Sequence, residues 1–317
     1  MEKPYKSIMI LLSAELWRYI MTKPSKKESV QHTSLSSPIK YYPSGLPDLI
    51  PFIPSHWHNE FELNFIRSGT GIFYCNGKQF LPEEGQIYIF QPNQAHGMTP
   101  MENHKIIYDT LLFNSKAFGS QSERGNHTVI SPLVSGESTL RLPIDRNCEG
   151  YEQIRQTVES IFEATQKNDA PSDLYAKSQL LQLFYYLHAY GHINYRKNTG
   201  SADETRLQTV LTYIDQHFAE DLSVETLAKL IPLSNSYFMS FFKRITGISL
   251  ITYINQIRVR NACEMLISTK KQVLQIAYEC GFDNLSNFNR QFKKHAGCSP
   301  SKYRSIYGEK TREDEEE

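Results

Sequence analysis

A sixteen-residue pattern occurs twice near the C-terminus, fifty positions apart, and it limits what that third of the chain can fold into. The first copy reads SNSYFMSFFKRITGIS (234–249) and the second NLSNFNRQFKKHAGCS (284–299). Phe238 aligns with Phe288, Phe242 with Phe292, Lys243 with Lys293, Gly247 with Gly297 and Ser249 with Ser299. A short amphipathic stretch containing Leu227-Ala228 or Ile276-Ala277 precedes each copy. A short helix, a turn and a second helix, repeated, make two helix-turn-helix units in series, and such a pair can read DNA.

The local chemistry supports helices at these places. Ser223 can cap VETLAKL, with Glu225 in its positive first turn, and Pro232 forbids continuation before Ser234 caps the next helix. At about 100° per residue, Phe238, Phe242 and Ile245 share one side, Ser236, Ser240 and Lys243 lie opposite, and Met239 and Arg244 flank them. In the second copy Phe288 and Phe292 turn inward and Ser286, Arg290 and Lys293 outward, flanked by Asn287, Asn289 and Lys294. Gly247 stands where a C-cap belongs, and Ser299-Pro300 starts a closing helix. Small polar residues and arginine near the front of such a helix reach base edges, while lysines toward its rear reach phosphates. Between the copies, 249–268 has a helical pattern, and twenty residues span about 30 Å. One DNA turn is roughly 34 Å, so both outward faces can enter successive major grooves. A helical bundle with solubilising surface charge would account for one such unit, but not for a matched pair at this spacing.

The stretch from about Leu222 to Arg304 resembles the DNA-binding domain of the AraC/XylS family of bacterial transcription regulators. IAYECGFDNLSNFNRQFKKHAGCSPSKYR carries the family's GF, F-x-R-x-FK-x-x-x-G and SP-x-x-YR signature, and SYFMSFFKRITG and YINQIRVRNACEMLI match as well. The resemblance implies that Asn235, Ser236, Met239 and Ser240, with Ser286, Asn287, Asn289 and Arg290, fall where the family touches bases. Met239 and Ser240 replace the longer polar or basic side chains common there, so the second helix is the expected main reader. Double-stranded DNA is the expected partner, with RNA polymerase as a further candidate.

Charge agrees with a DNA reader joined to something else. Residues 201–308 hold thirteen Lys and Arg against nine Asp and Glu, residues 1–200 balance, and the final EKTREDEEE is acidic. Five scattered cysteines form no CxxC pair and suit a reducing, cytoplasmic setting. Residues 8–20, IMILLSAELWRYI, are interrupted by Glu15 and Arg18 and too short for a membrane span, so a short amphipathic helix is expected there.

From 56 to 113 the period changes to two. Phe61, Leu63 and Phe65 alternate with Glu60, Glu62 and Asn64, and Asn76-Gly77 supplies a hairpin turn that needs positive φ. These short strands predict a small antiparallel barrel or sandwich. Two helices follow, and 173–190 has two apolar stripes: Leu180, Phe184 and Leu187, and Leu174, Leu181 and Tyr185. The second stripe needs a partner, either within the chain or in a second subunit. The expected fold is therefore α+β with two domains: an N-terminal antiparallel β-barrel with two helices, and an all-α C-terminal domain of tandem helix-turn-helix units. Expected boundaries are a helix and irregular arm (1–47), the barrel (48–148), a helical pair for dimerisation (149–190), a linker (191–203), the DNA-binding domain (204–307) and an acidic tail (308–317).

His56, His58 and Glu62 have H-x-H-x-x-x-E spacing, and His96 follows in QPNQAH. Alternation places 56, 58, 62 and 64 on one strand face, pointing inward. The stretch resembles the first motif of cupin barrels, and barrels of this kind are the usual sensor in sugar-responsive AraC relatives. Two His, a Glu and a later His suit a divalent transition metal. Pro92 and His96, however, stand one residue closer than in metal-binding cupins and have no glycine between them. The spacing therefore favours an organic pocket, lined by His56, His58, Glu62, Asn64 and His96 with Tyr74 and Tyr88 as aromatic walls, and no metal or cofactor is expected. The expected function is a dimeric, ligand-responsive regulator answering a small polar effector such as a sugar. Two rivals remain: a metal-dependent cupin oxygenase or isomerase, which stoichiometric metal would favour, and a regulator whose barrel only dimerises. No G-x-S-x-G, P-loop or H-E-x-x-H motif supports another enzyme class.

Overall fold

Two antiparallel four-stranded sheets face each other in the N-terminal half of the computed structural model, which describes residues 33, 38–47, 51–101, 104–120, 122–167, 169–195 and 201–307. The strands are β1 (Ile39–Leu46), β2 (Ile53–His56), β3 (Phe61–Gly69), β4 (Gly71–Cys75), β5 (Lys78–Phe80), β6 (Ile87–Phe90), β7 (His96–Pro100) and β8 (Ile106–Phe113). One sheet runs β1-β8-β3-β6 and the other β2-β7-β4-β5. The expected helix at 8–20 and the acidic tail lie outside the described residues. The expected irregular arm, part of 1–47, needs correction over its described part, because Ile39–Leu46 is a full strand paired along β8.

The alternation in β3 works in an unusual sense. Phe61, Leu63 and Phe65 point outward from the barrel and are buried under α1 (Tyr151–Thr165) and α2 (Ala170–Ala189), together with Ile154, Val158, Ile161, Leu180 and Phe184. The polar members Glu62 and Asn64 therefore face the barrel interior, opposite Leu112 and Thr110 of β8. Polar residues at core positions cost stability unless they are partnered, which makes this face the first place to look for function. At the β3 bulge, Arg67 pairs with Asp109 and, at 3.1 Å, with Glu159 of α1, and stacks over Phe65, tying helix to sheet.

Leu180, Leu183, Phe184 and Leu187 of α2 are buried, whereas Leu174 is 71% exposed and Tyr185 64%. The second apolar stripe thus has no cover within the described residues of this chain. Beyond α2, Ile193–Asn194 pairs with Thr139–Leu140, and helix α3 (Ser201–Gln216) begins inside the expected linker.

The C-terminal half is helical: α4 (Val224–Leu230), α5 (Asn235–Thr246), α6 (Leu250–Ser268), α7 (Val273–Glu279), α8 (Leu285–Ala296) and α9 (Pro300–Tyr307). The repeat is structural. The Ser234 side chain accepts from the Tyr237 N–H, and Asn284 accepts from the Asn287 N–H. Gly247 and Gly297 both end their helices in the left-handed region at φ 78° and 76°, each donating its N–H to the carbonyl of Lys243 or Lys293. Phe238, Phe242, Phe288 and Phe292 are all fully buried, as is Phe241. In the SP-x-x-YR signature, Arg304 is structural: it donates to the carbonyls of Leu266 and Lys271, tying α9 to the end of α6. Burial pushes the Cys280 thiol up to about 12, in keeping with an inert core cysteine. Among the described residues no helix is long and apolar enough to cross a membrane.

Candidate functional site

Two sites emerge. The first is the outward face of the helical repeat. On α5, Asn235, Ser236, Ser240, Lys243 and Arg244 are exposed, while Met239 is half-buried and packs on the hydrophobic core of the first unit. On α8, Ser286, Asn289, Arg290, Lys293 and Lys294 are exposed, and half-buried Asn287 accepts from Arg290 Nη2 at 3.0 Å. Arg244 pairs with Asp203 at 2.9 Å, which draws it toward α3. The second helix thus presents three cations, and the first presents small polar groups with one lysine and one engaged arginine.

The second site is inside the barrel. One ligand atom from each of His56, His58, Glu62 and His96 lies within 4.8 Å of all the others. Alternation in the sequence puts 56, 58, 62 and 64 on one face of one strand, and the structure departs from that. β2 ends at His56, the chain crosses between sheets through His58, and β3 restarts at Phe61. His56 lies opposite His96 in one sheet, and Glu62 comes from the other. The cluster is therefore built across both sheets, which a strand period alone cannot show.

Its polar network centres on Glu62. Glu62 Oε2 lies 3.1 Å from His58 Nε2 and 3.2 Å from His96 Nε2. Its other oxygen accepts from Asn64 Nδ2 at 2.8 Å, and Asn64 Oδ1 accepts from Thr110 Oγ1 at 2.7 Å. Burial pushes the Glu62 carboxyl up, but His96 and His58 more than offset it and hold it well below the ordinary carboxylate range. The carboxylate is thus a fixed buried anion with one oxygen aimed at imidazoles.

Not every expected wall residue joins this group. Phe90 stacks on His96 at 4.7 Å, and Tyr88 is a further ring contact away, its hydroxyl donating to Gln86. Tyr74 is a correction: Phe73 and Cys75 take the barrel interior, and Tyr74 turns the other way, against Gly247 at the end of α5. It belongs to a contact between the two halves that sequence reasoning missed. There, Tyr253 of α6 donates to the Ser55 carbonyl at 2.9 Å, Gln208 to the Asn93 carbonyl at 3.2 Å and Gln79 to the Gly247 carbonyl at 3.3 Å. Trp57 and Ala95 pack into the core of the first helical unit, and Phe52 meets His295 of α8. The alternation H-W-H contained a signal for this, since residues flanking inward histidines must face outward.

Residues 51–184 match a family model described as an AraC-like ligand binding domain, and residues 227–306 match one described as a helix-turn-helix domain. The chain is similar to the HTH-type transcriptional activator RhaS of Enterobacter sp. (strain 638), 24% identical over 251 residues, covering 79% of this chain and 87% of the relative. It is also similar to the uncharacterised HTH-type transcriptional regulator YdeC of Bacillus subtilis (strain 168), 22% identical and covering 88% and 96%. Among solved structures, ToxT from Vibrio cholerae O395 aligns over 85% of this chain and 98% of its own at 14% identity, with a TM-score of 0.45.

Proposed function

The chain belongs to the AraC family of transcription regulators, and from that premise we propose that it reads double-stranded DNA through α5 and α8 in successive major grooves, under control of an effector held in the barrel. The observation that carries this reading is the pair of capped helices with matched buried phenylalanines and exposed polar faces. The 19-residue α6 holds them apart by about 28 Å, close to one DNA turn. The barrel cluster of His56, His58, Glu62, Asn64 and His96 is the effector site, and Tyr88 stands behind it. As in the activator RhaS, the output is a change in transcription, which brings RNA polymerase in as a partner.

The experiment separates base reading from charge. Arg290→Ala should relax preference within one part of the selected site, costing about 1–3 kcal/mol against the preferred sequence. Lys293→Ala should weaken all duplexes alike and reduce the salt slope by about one unit. Equal losses on selected and random DNA for both variants would show that α8 does not read bases. The corresponding α5 variant, Ser240→Ala, should have the smaller effect, because its short hydroxyl already donates to the Ser236 carbonyl.

The uncovered row of Leu174, Leu181 and Tyr185 supports a homodimer joined through α2. Leu181→Asp combined with Tyr185→Asp should convert a two-chain species to single chains in sedimentation velocity. An unchanged sedimentation coefficient would remove α2 from the interface.

A further inference from the structure

We propose that Asp203, in the first turn of α3, is a positioning residue for DNA binding: it holds the Arg244 guanidinium of α5 back from the phosphate backbone and so lowers the affinity of the chain for all duplexes alike. The inference rests on α5 and α8 being the DNA-reading helices. It adds a residue that itself touches neither base nor phosphate.

The repeat supplies the comparison. At its offset of fifty, Lys243 answers to Lys293 and Arg244 to Lys294. Each of these cations stands in the last turn of its helix, where it complements the partial negative charge of the C-terminus. Lys243, Lys293 and Lys294 are exposed and meet no carboxylate among the described residues. Arg244 does meet one. Its Nη2 donates to Asp203 Oδ2 at 2.9 Å, across forty-one positions of sequence. Two units matched in caps, buried phenylalanines and terminal glycines thus differ here in free charge.

Both members of the pair are held in place. Asp203 Oδ1 accepts from Arg206 Nη1 at 3.2 Å, which leaves Oδ2 directed at α5. Helix α3 is anchored by Leu207, Val210 and Leu211, which share one buried cluster with Phe238, Phe241 and Phe242 of α5. The Arg244 guanidinium lies over the Phe241 ring at 5.7 Å, and its backbone carbonyl sits against the β4–β5 hairpin at Gly77. Ring, carboxylate and hairpin therefore place this arginine. Asp203 closes the expected linker at 191–203, and its approach to α5 depends on α3 starting two residues earlier, at Ser201.

A carboxylate and a phosphate oxygen compete for the same guanidinium donors. A phosphate drawn to Arg244 is also drawn toward the Asp203 anion, which repels it. An arginine already neutralised by a resident carboxylate displaces fewer counterions from the duplex. The hold is modest, because 55% of the Arg244 side chain and 32% of that of Asp203 are exposed. Exposed pairs of this kind are worth up to about fivefold in an equilibrium constant. Such a hold does not abolish a phosphate contact; it subtracts from one. Phosphates are alike at every sequence, so the subtraction is uniform, and discrimination is left to side chains that reach base edges.

The test uses the full chain with duplexes of selected and of random sequence, titrated at about 50 and about 200 mM salt. Asp203→Asn should bind both duplexes about fivefold more tightly at the lower salt and steepen the salt dependence by about one unit of slope. The gain should therefore fade almost to nothing at the higher salt. Adding Arg244→Gln to Asp203→Asn should cancel the gain and restore the original slope. Asp203→Glu, which keeps the carboxylate, should retain that slope as well. Thermal melts establish that each variant is folded. A purely structural pair predicts the opposite sign, with weaker binding and lower melting in Asp203→Asn. That outcome, or unchanged binding, overturns the inference. A gain that survives Arg244→Gln overturns it too, since it comes from Arg206 or from net charge alone. If the wild-type chain shows no salt-dependent duplex binding, the reading of α5 and α8 falls and this inference falls with it. Unchanged affinity of Asp203→Asn in a chain that does bind removes this inference alone.

Discussion

Phe288→Ala should destabilise the second helical unit by about 3–5 kcal/mol and abolish DNA binding with it. Phe288 is fully buried, packed edge-on against Phe282 at 5.1 Å and against Phe292 at 5.5 Å, and Phe292 in turn meets Tyr303 at 5.5 Å. Removing the ring leaves a cavity at the centre of this aromatic chain, bounded by helices that α6 and α9 hold in place. Typical domains are stable by about 5–15 kcal/mol, so the loss consumes much of the reserve. Because Phe288 lies on the same helix as Arg290, the reading face fails along with the core. Phe288→Leu, which keeps most of the volume, should cost under about 1.5 kcal/mol and retain binding. Thermal melts and duplex titrations of both variants are the check. An alanine variant with unchanged melting and affinity would mean that α8 is not packed as described.

The helical half was largely legible because its signals are local. Caps at Ser234 and Asn284, phenylalanines at steps of four and C-terminal glycines at 247 and 297 each act within one turn, so a linear reading captures them. Phe241 is hard to single out because it adjoins Phe242, and two successive phenylalanines blur a projection that expects one stripe. The barrel was legible in kind but less so in detail. β1 reads as an irregular arm in the sequence because its partner, β8, lies sixty or more positions away and gives no local sign. Tyr74 reads as interior in the sequence because GIFYC is apolar at nearly every position, leaving no polarity contrast to tell one face from the other. In β3 the contrast was strong, and Glu62 and Asn64 were placed correctly on the inward face. The four residues of the barrel cluster are all identifiable by type. Their convergence is not, because it depends on pairing across two sheets and on the carbonyls of Pro54, Glu60 and Gln94 that orient the rings.

Gly77→Asn should release the barrel from the end of α5 while leaving the β4–β5 hairpin formed. The turn places Asn76 at φ 45° and Gly77 at φ 79°, the positive values that such two-residue hairpins need. Asparagine tolerates this region better than other residues with a Cβ, so the turn itself should survive. The space does not allow the added atom, however. A Cβ at Gly77 would lie 1.8 Å from the carbonyl oxygen of Arg244 and 2.9 Å from its carbonyl carbon, far inside van der Waals contact. Both are backbone atoms of the last turn of α5, so neither can rotate away, and the hairpin must back off as a unit. Doing so breaks the Gln79 to Gly247 hydrogen bond and separates Tyr74 from Gly247. Hydrogen exchange should therefore quicken by about tenfold or more at 244–248, while the amides paired between β4 and β5 stay protected. Asn76→Gly, which adds no atom and keeps positive φ, should leave exchange at 244–248 unchanged. Binding to random-sequence DNA should also persist in Gly77→Asn, because Asn235, Ser236 and Ser240 on α5 and the exposed face of α8 lie away from the hairpin contact. Unaltered exchange at 244–248 would place the hairpin and α5 apart in solution and remove this contact from any account of how the barrel communicates with the DNA-reading half.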